Sequence, residues 1–353
     1  MVEVGYTDNA FRESGDAVGD GFIQANPSMR VNVVGIPHDV GFRLGVQARQ
    51  QFRRSRNDFV DFNALGNSQI NITKHTQVDT LAYIRRGHER RSSLDTAGSR
   101  GSLPKFIHAG GGMGFTVDRP GGFVSLGQTV THKRFVSDPA GLAAGRDQLT
   151  YTTKGCAGRK FAQRLGVVLT VEGSYVDRLP SEHGIDAADN YNVSSLASLV
   201  YGLTGVTQLH FGAGWLVADT LNTEGGVTNT FALRGGLRWE PTDLTAIVAN
   251  LSTQIQQTAI GERGTLLRRH QRVGVRHDVL PFVNLTADLN YTVDDVQFSD
   301  AAARTLWGQL GATYSFHQNA QIGARYRYTR RFGSGNQTEF VSNTFLVSLT
   351  AVY

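Results

Sequence analysis

Cysteine is nearly missing from this chain: Cys156 stands alone among 353 residues, which excludes an intramolecular disulfide and any thiolate metal cluster. Proline is scarce as well, with 8 residues against 41 glycines, and the apolar residues are rich in Val, Leu, Phe and Tyr. That mixture suits twisted strands better than helices, and no capped amphipathic helix is legible. No apolar run approaches the roughly 18 consecutive residues that a membrane-spanning helix requires, and mean hydropathy is -0.24. Helical insertion is thereby excluded, whereas a membrane is not. In a barrel wall, lipid-facing and lumen-facing residues alternate and cancel in any hydropathy window. Lysine is a third shortage. With Lys74, Lys105, Lys133, Lys154 and Lys160 as the only lysines, the net charge of +5 and the isoelectric point near 9.4 rest on arginine. The arginines are dispersed over many segments instead of clustering on one helix or ribbon. This argues against nucleic acid and leaves anionic polysaccharide, small anions and the phosphates of lipopolysaccharide as suitable partners.

Chemical signatures are missing too. The chain contains no P-loop, no HExxH and no GxSxG, and its ten histidines are scattered. Three places deserve weighing as candidates: His277-Asp278, read in a turn; Glu182 with His183, read in a loop; and His210, read on the lumen face of a strand with Gln208, Gly212 and Gly214. Solvated polar residues account for all three, so no catalytic residue and no cofactor is assigned. Asp294, Asp295 and Asp300 read as loop acids without the glycine and terminal glutamate of a calcium loop, so no metal is assigned either. An export leader is also lacking. Met1 runs straight into VEVGYTDNAF, and the chain is read as mature-length with Met1 in the leader's place, a cytosolic protein being the competing explanation.

What the sequence has in abundance is period two. From Glu339 to Tyr353, one phase carries Val341, Asn343, Phe345, Val347, Leu349, Ala351 and Tyr353, while the other carries Ser342, Thr344, Leu346, Ser348, Thr350 and Val352. One greasy and one hydroxylic face, ending on an aromatic residue, suit the closing strand of an outer-membrane barrel. Short turns centred near residues 204, 242, 280 and 318 recur about every 38 residues, and two more near 37 and 75 keep the spacing. Two tilted strands with a turn and a loop fill such a period, whereas a propeller blade needs four shorter strands. Between them the pattern blurs, with candidate turns at Asp118 to Gly122 and Gly155 to Gln163. Longer loops are read at Arg86 to Pro104, Val136 to Asp147 and Asp177 to Asn190. Eight turns separate nine hairpins. The prediction is all-β: a single-domain transmembrane antiparallel up-and-down β-barrel over residues 1–353, with 18 strands and both termini periplasmic, in the bacterial outer membrane. Sixteen strands follow if one middle turn is misread, and a soluble double sheet is the competing fold.

Phasing the strands sorts their residues. Leu165, Val167, Leu169, Val171 and Tyr175 share a face; so do Leu209, Phe211, Ala213, Trp215 and Val217. Phe231, Leu233, Leu237 and Trp239 form a third set, and Val283, Leu285, Ala287, Leu289, Tyr291 and Val293 a fourth. These sets are expected to face lipid. Trp239, Tyr291, Tyr314, Phe316, Tyr326, Tyr328 and Tyr353 are expected at strand ends, as interfacial girdles. In the opposite phase stand Arg234 and Arg238, Arg272 and Arg276, and Arg325 and Arg327. An arginine facing lipid costs about 2–4 kcal/mol at the midplane, so these six are predicted to line the lumen. Glu172, Asp288 and Asp294 are their expected inward counterparts. Two compatible roles stay open: a basic track for anionic sugar polymers, and an arginine–carboxylate ladder bracing a wide wall.

Several stretches resemble a family of outer-membrane β-barrel porins found with exopolysaccharide secretion genes. Gly5-Tyr6-Thr7-Asp8-Asn9-Ala10-Phe11-Arg12 is similar to that family's first strand, and His88-Glu89-Arg90-Arg91 to its third loop. Trp239-Glu240-Pro241-Thr242-Asp243-Leu244-Thr245 and His277-Asp278-Val279-Leu280 resemble its periplasmic turns, and Arg325-Tyr326-Arg327-Tyr328-Thr329-Arg330-Arg331 its closing segment. The resemblance implies a pore-like barrel linked to polysaccharide export, with no catalytic residues to carry over. From residues and resemblance together the expected function is a non-enzymatic, porin-like conduit for saccharides or small anions. A docking barrel of a secretion complex with an occluded lumen is the alternative, and a membrane-embedded enzyme the third reading.

Overall fold

The structure, a computed structural model, describes all residues except 14–16, 36–37, 90, 92–101, 138–145, 180–187, 222–226, 258–264, 298, 335–338 and 353. Glu182, His183, Arg90 and Tyr353 therefore lie outside the described residues. Nineteen strands form one sheet, every pair antiparallel. They begin with β1 (Val2–Thr7), β2 (Asp20–Ala25), β3 (Ser28–Val34), β4 (His38–Gln51), β5 (Phe59–Thr73) and β6 (Thr76–His88). The middle of the wall holds β7 (Lys105–Arg119), β8 (Gly122–Ser137), β9 (Gln148–Ala162), β10 (Leu165–Arg178), β11 (Asn190–Thr204), β12 (Thr207–Thr220) and β13 (Thr228–Thr242). It ends with β14 (Thr245–Gln257), β15 (Thr265–Leu280), β16 (Val283–Val296), β17 (Ala302–His317), β18 (Ala320–Ser334) and β19 (Phe340–Ala351). A 3-10 turn, Ser55–Asn57, interrupts the loop before β5.

Closure is made by β1. It pairs with β19 from Val2 opposite Leu349 to Thr7 opposite Thr344, and with β2 on its other side. Both β2 and β3 pair with β4 in one unbroken register, Ala25 opposite Ala48 and Ser28 opposite Gly45. They are one wall strand interrupted at Asn26 and Pro27, because proline has no N–H to give the ladder. Nineteen segments thus make the predicted 18 wall strands. A barrel of this size surrounds a wide interior.

Short turns gather at one end and longer connections at the other. Between β7 and β8 the turn is Pro120-Gly121, where proline presets φ and Gly121 takes a φ of +96° that other residues resist. One expected turn is misplaced. The chain reverses after Ala162, and the stretch from Gly155 to Phe161 lies inside β9. Glycine serves packing there, since a Cβ on Gly158 would come within 2.2 Å of the Phe123 ring.

The outer face is the predicted greasy phase: Val341, Phe345, Val347 and Leu349 are exposed while Ser342 between them is buried. Leu169, Val171, Phe211, Trp215, Phe231, Leu285 and Leu289 are exposed in the same way. The girdle expectation needs correcting for Tyr326 and Tyr328, which sit at the centre of β18. The Tyr326 hydroxyl donates to Asn343 Oδ1 at 2.6 Å and its ring leans on Phe345, so a neighbouring strand supplies the partner that an interface would otherwise provide.

Buried apolar side chains mark the other asymmetry. Phe11, Phe22, Phe106, Val176, Leu196, Leu216, Leu266, Val296 and Phe340 all lie in loops or in the loop-side halves of their strands. Among the described residues, buried apolar packing is thus concentrated at the loop end. At the turn end the inward arginines Arg238 and Arg276 are 60% and 64% exposed, so water reaches the interior there.

Candidate lumen site

The six arginines singled out by phase have distinct partners. Arg325 and Arg327 on β18 line an interior cavity of about 850 Å³. Arg272 and Arg276 share the face of β15 that presents Arg268 and His270 to the same cavity. Arg234 and Arg238 share the face of β13 that carries buried Ala232, packed with Leu196 and Leu216. Four of the six are ion-paired: Arg238 with Glu240, Arg272 with Asp288 at 2.6 Å, Arg276 with Asp278 at 3.2 Å, and Arg325 with Glu3. Arg327 donates twice to Gln309 Oε1, at 3.1 and 2.6 Å, and lies over the Trp307 ring. Charge on Arg238, Arg272, Arg276 and Arg325 is therefore compensated locally, pair by pair.

Asp294 is a counterpart, but of Arg268, in a two-bond fork of 2.5 and 2.8 Å. Asp295 pairs with Arg269 at 2.8 Å. Both acids belong to β16, so their reading as loop residues is corrected: the alternation of β16 continues to Val296 and sends them to opposite faces. Glu172 faces Lys154 at 4.0 Å. His277 and Asp278 close β15 instead of forming the turn; His277 Nδ1 lies 2.9 Å from Thr245 Oγ1, and Asn284 donates to Asp278 at 2.6 Å. His210 lies over Gly236, where a Cβ would meet its ring at 2.1 Å. Cys156, expected near a turn, is in β9, with Sγ 3.7 Å from Thr170 Oγ1.

Much of the cavity comes from residues that phase reasoning did not single out. Seven arginines line it, Arg12, Arg49, Arg85, Arg91, Arg268, Arg325 and Arg327, against the three carboxylates Glu3, Asp61 and Asp294. Arg49, at the loop end of β4, lies 4.0 Å from the centre of the Phe22 ring and 5.5 Å from that of Phe59, and its Nε donates to Gln24 Oε1 at 2.8 Å. Phe59 in turn stacks against His88, whose Nδ1 is 2.9 Å from Asp61. Gln51, two residues beyond Arg49, is 7% exposed and its side-chain oxygen has no hydrogen-bond partner. Buried Asp20 has the same condition at Oδ2.

The mouth over this cavity is held by the motifs of the first strand and third loop. Asn9 Nδ2 donates to the carbonyls of Glu13 and Val341, while its Oδ1 accepts from Glu13 N. Asp8 accepts from Asn343 N and Nδ2, tying the first strand to the last. Phe11 is buried between the guanidiniums of Arg54 and Arg91. Arg91 also donates to Asn57, whose amide reaches the Ala10 carbonyl. Burial draws the Arg91 guanidinium down to about 10, which leaves it charged at neutral pH. Glu89 lies between Lys133 at 2.8 Å and Arg146 at 3.3 Å. Burial alone would raise its carboxyl, but the two cations and their hydrogen bonds prevail and hold it below the ordinary range.

Comparison with known proteins places this geometry. A family model described as "Putative beta-barrel porin 2" matches residues 1–353. None of the curated proteins matches the chain. Among solved structures, the copper transporter OprC superposes with a TM-score of 0.51 at 11% identity, over 98% of this chain and 64% of that one. The FrpB iron transporter from Neisseria meningitidis, in its apoprotein form, gives 0.50 at 9% identity, over 94% and 61%. The chain thus spans less than two thirds of the length of either, and the likeness is one of fold.

Proposed function

The chain belongs to the family of "Putative beta-barrel porin 2" and is an outer-membrane β-barrel, and from that premise we propose that it is a passive, porin-like conduit for saccharides or small anions. The observation that carries this reading is the interior cavity with seven arginines against three carboxylates. An excess of fixed positive charge inside a pore raises the local concentration of anions and repels cations. Barrels of 16–18 strands leave an aqueous channel, and the exposed Arg238 and Arg276 at the turn end fit a water-filled vestibule. In this reading the turn end faces the periplasm. The part played in polysaccharide export rests on the resemblance of the strand-end and turn motifs.

Conductance across a planar bilayer tests the proposal. The expected result is an open pore with weak anion selectivity in a salt gradient, lost as screening shortens to roughly 3 Å at 1 M. Arg272→Gln with Arg276→Gln leaves Asp288 and Asp278 without their cations, so the reversal potential is expected to move toward cation selectivity in a barrel that still folds. A cation-selective wild-type pore, or one indifferent to the double change, contradicts the reading. The packed loop end favours a second reading, a docking barrel of a secretion complex with an occluded lumen. Absence of any conductance from correctly folded protein would select it.

A further inference from the structure

The outer wall carries a groove of about 840 Å³ at the turn end of β7, β8, β9 and β10. Directly opposed residues on paired strands share a face, and the register sets Arg119, Gly122 and Arg159 in one row that Val167 continues on β10. The next row holds Val117, Val124, Ala157 and Leu169. Val124 and Leu169 are exposed on the outer face, so the two arginines share it. Both line the groove, and neither has a carboxylate within ion-pair distance among the described residues; neighbouring Asp118 belongs to the opposite phase. Lys160 adds a third cation to the lining. Between the arginines the floor is bare, and a Cβ on Gly122 would come within 2.6 Å of the Gly158 carbonyl oxygen. Away from the turn the floor stays low. Ala157 lies between Val124 and Leu169, and Gly155 between Leu126 and Val171, with nothing within 4 Å of the Gly155 Cβ position. All four flanking side chains are exposed.

A lone basic residue at a membrane interface snorkels to water and calls for no ligand. Arg119 and Arg159 instead stand two strands apart on one row, about 10 Å between backbones, a gap that two side chains of this length span around one phosphate. The Arg159 guanidinium lies 5.8 Å from the centre of the exposed Phe161 ring. We propose that this groove binds one anionic diacyl phospholipid, with Arg119 and Arg159 on its phosphate and an acyl chain along Ala157 and Gly155. An inorganic anion would leave the apolar floor uncovered, and a zwitterionic lipid would bring its own cation toward the arginines. The site goes beyond the conduit reading and does not depend on conduction. It takes from that reading the periplasmic orientation of the turn end, which puts the groove in the phospholipid leaflet of the outer membrane.

The full chain, folded in nonionic detergent and checked by the faster migration of unboiled protein, is titrated with phosphatidylglycerol, phosphatidylcholine, lipid A and inorganic phosphate. Native mass spectrometry counts the bound lipids. One phosphatidylglycerol is expected to saturate, with phosphatidylcholine weaker by about tenfold or more, as expected when hydrogen bonds between charged partners are opposed. Arg119→Gln and Arg159→Gln, singly and together, are expected to reduce that preference, while Lys74→Gln, in the exposed turn between β5 and β6, leaves it unchanged. Ala157→Leu fills the floor and is expected to weaken phosphatidylglycerol in a barrel that still folds. Because a ligand of the folded form stabilises it, phosphatidylglycerol is also expected to raise the temperature at which the fast-migrating form converts in the wild type and not in the double arginine variant. The site is overturned by the lack of a saturating first lipid, by equal binding of phosphatidylcholine, or by indifference to both arginine changes or to Ala157→Leu. An equal loss in Lys74→Gln overturns it as well. Preferential binding of lipid A, or full competition by inorganic phosphate, overturns the assignment of a phospholipid.

Discussion

Among single residues, glycine separates packing from slack most sharply. A Cβ on Gly214 in β12 would lie 1.8 Å from the Ser195 carbonyl oxygen, a backbone atom that cannot move aside alone. Gly173 in β10 has nothing within 4 Å of the same point. Gly214→Val is therefore expected to abolish the folded form and Gly173→Ala to leave it intact, as measured by the yield of detergent-resistant barrel. Equal yields would contradict the close approach. Phase alone assigned Arg325 and Arg327 to the interior, since tyrosines alternate with them. It did not single out Arg49, although Val46 and Ala48 on β4 stand in the opposite phase to Gln47 and Arg49. What made Arg49 stand out was its surroundings, Phe22 on β2 and Phe59 on β5, and no pattern within β4 contains them.

On the scale of elements, the loop end is organised by short polar anchors. Glu89 ties the segment after β6 to β8 and to Arg146, just ahead of β9. Its carboxyl is lower in the folded protein than its ordinary value, so the stabilisation is fully present above the ordinary carboxylate range and lost as pH falls through the lowered value. Comparing wild type with Glu89→Gln, the difference in thermal stability is expected to be largest near neutral pH and to shrink below about pH 4. A difference that grows on acidification would reverse the sign of the argument. Within the resembling segment, Glu89 meets Lys133 and Arg146 and Arg91 donates to Asn57, partners distant in sequence that the segment itself does not reveal. Asp294 and Asp295 were misread for a related reason. Two adjacent acids look like a solvated loop until the arginines of β15 are set beside them.

For the molecule as a whole, closure is the decisive event. The wall becomes continuous where β1 meets β19, and Asp8 holds Asn343 across that seam through two hydrogen bonds, of 2.7 and 2.6 Å. A closed hydrogen-bonded cylinder resists detergent unfolding, so unboiled protein is expected to migrate faster on a gel than boiled protein. Asn343→Ala removes side-chain bonds to Asp8 and Tyr326 and is expected to cost about 1–3 kcal/mol, lowering the temperature at which the fast form converts. Equal mobility before and after boiling, or a helical circular-dichroism spectrum, would contradict the barrel itself. The wide interior, open at the turn end and packed at the loop end, gives the molecule an axial polarity that bears directly on conduction.

The sequence by itself determined the number of wall strands, the ends at which turns and loops gather, and the phase that faces outward. Each of these follows from local rules: a two-residue side-chain period, a hairpin length, and the penalty for arginine against lipid. The tertiary structure alone decided which charges meet. Register brings Arg268 opposite Asp294, and closure brings Arg325 to Glu3 across 322 positions of chain, so of the four predicted arginines that are ion-paired only Arg272 meets an acid, Asp288, that phase had named, and the other three meet acids that it had not. It also decided which charges share one cavity, Arg49 and Arg85 among them, because that depends on which side chains from strands distant in sequence project into one enclosed volume.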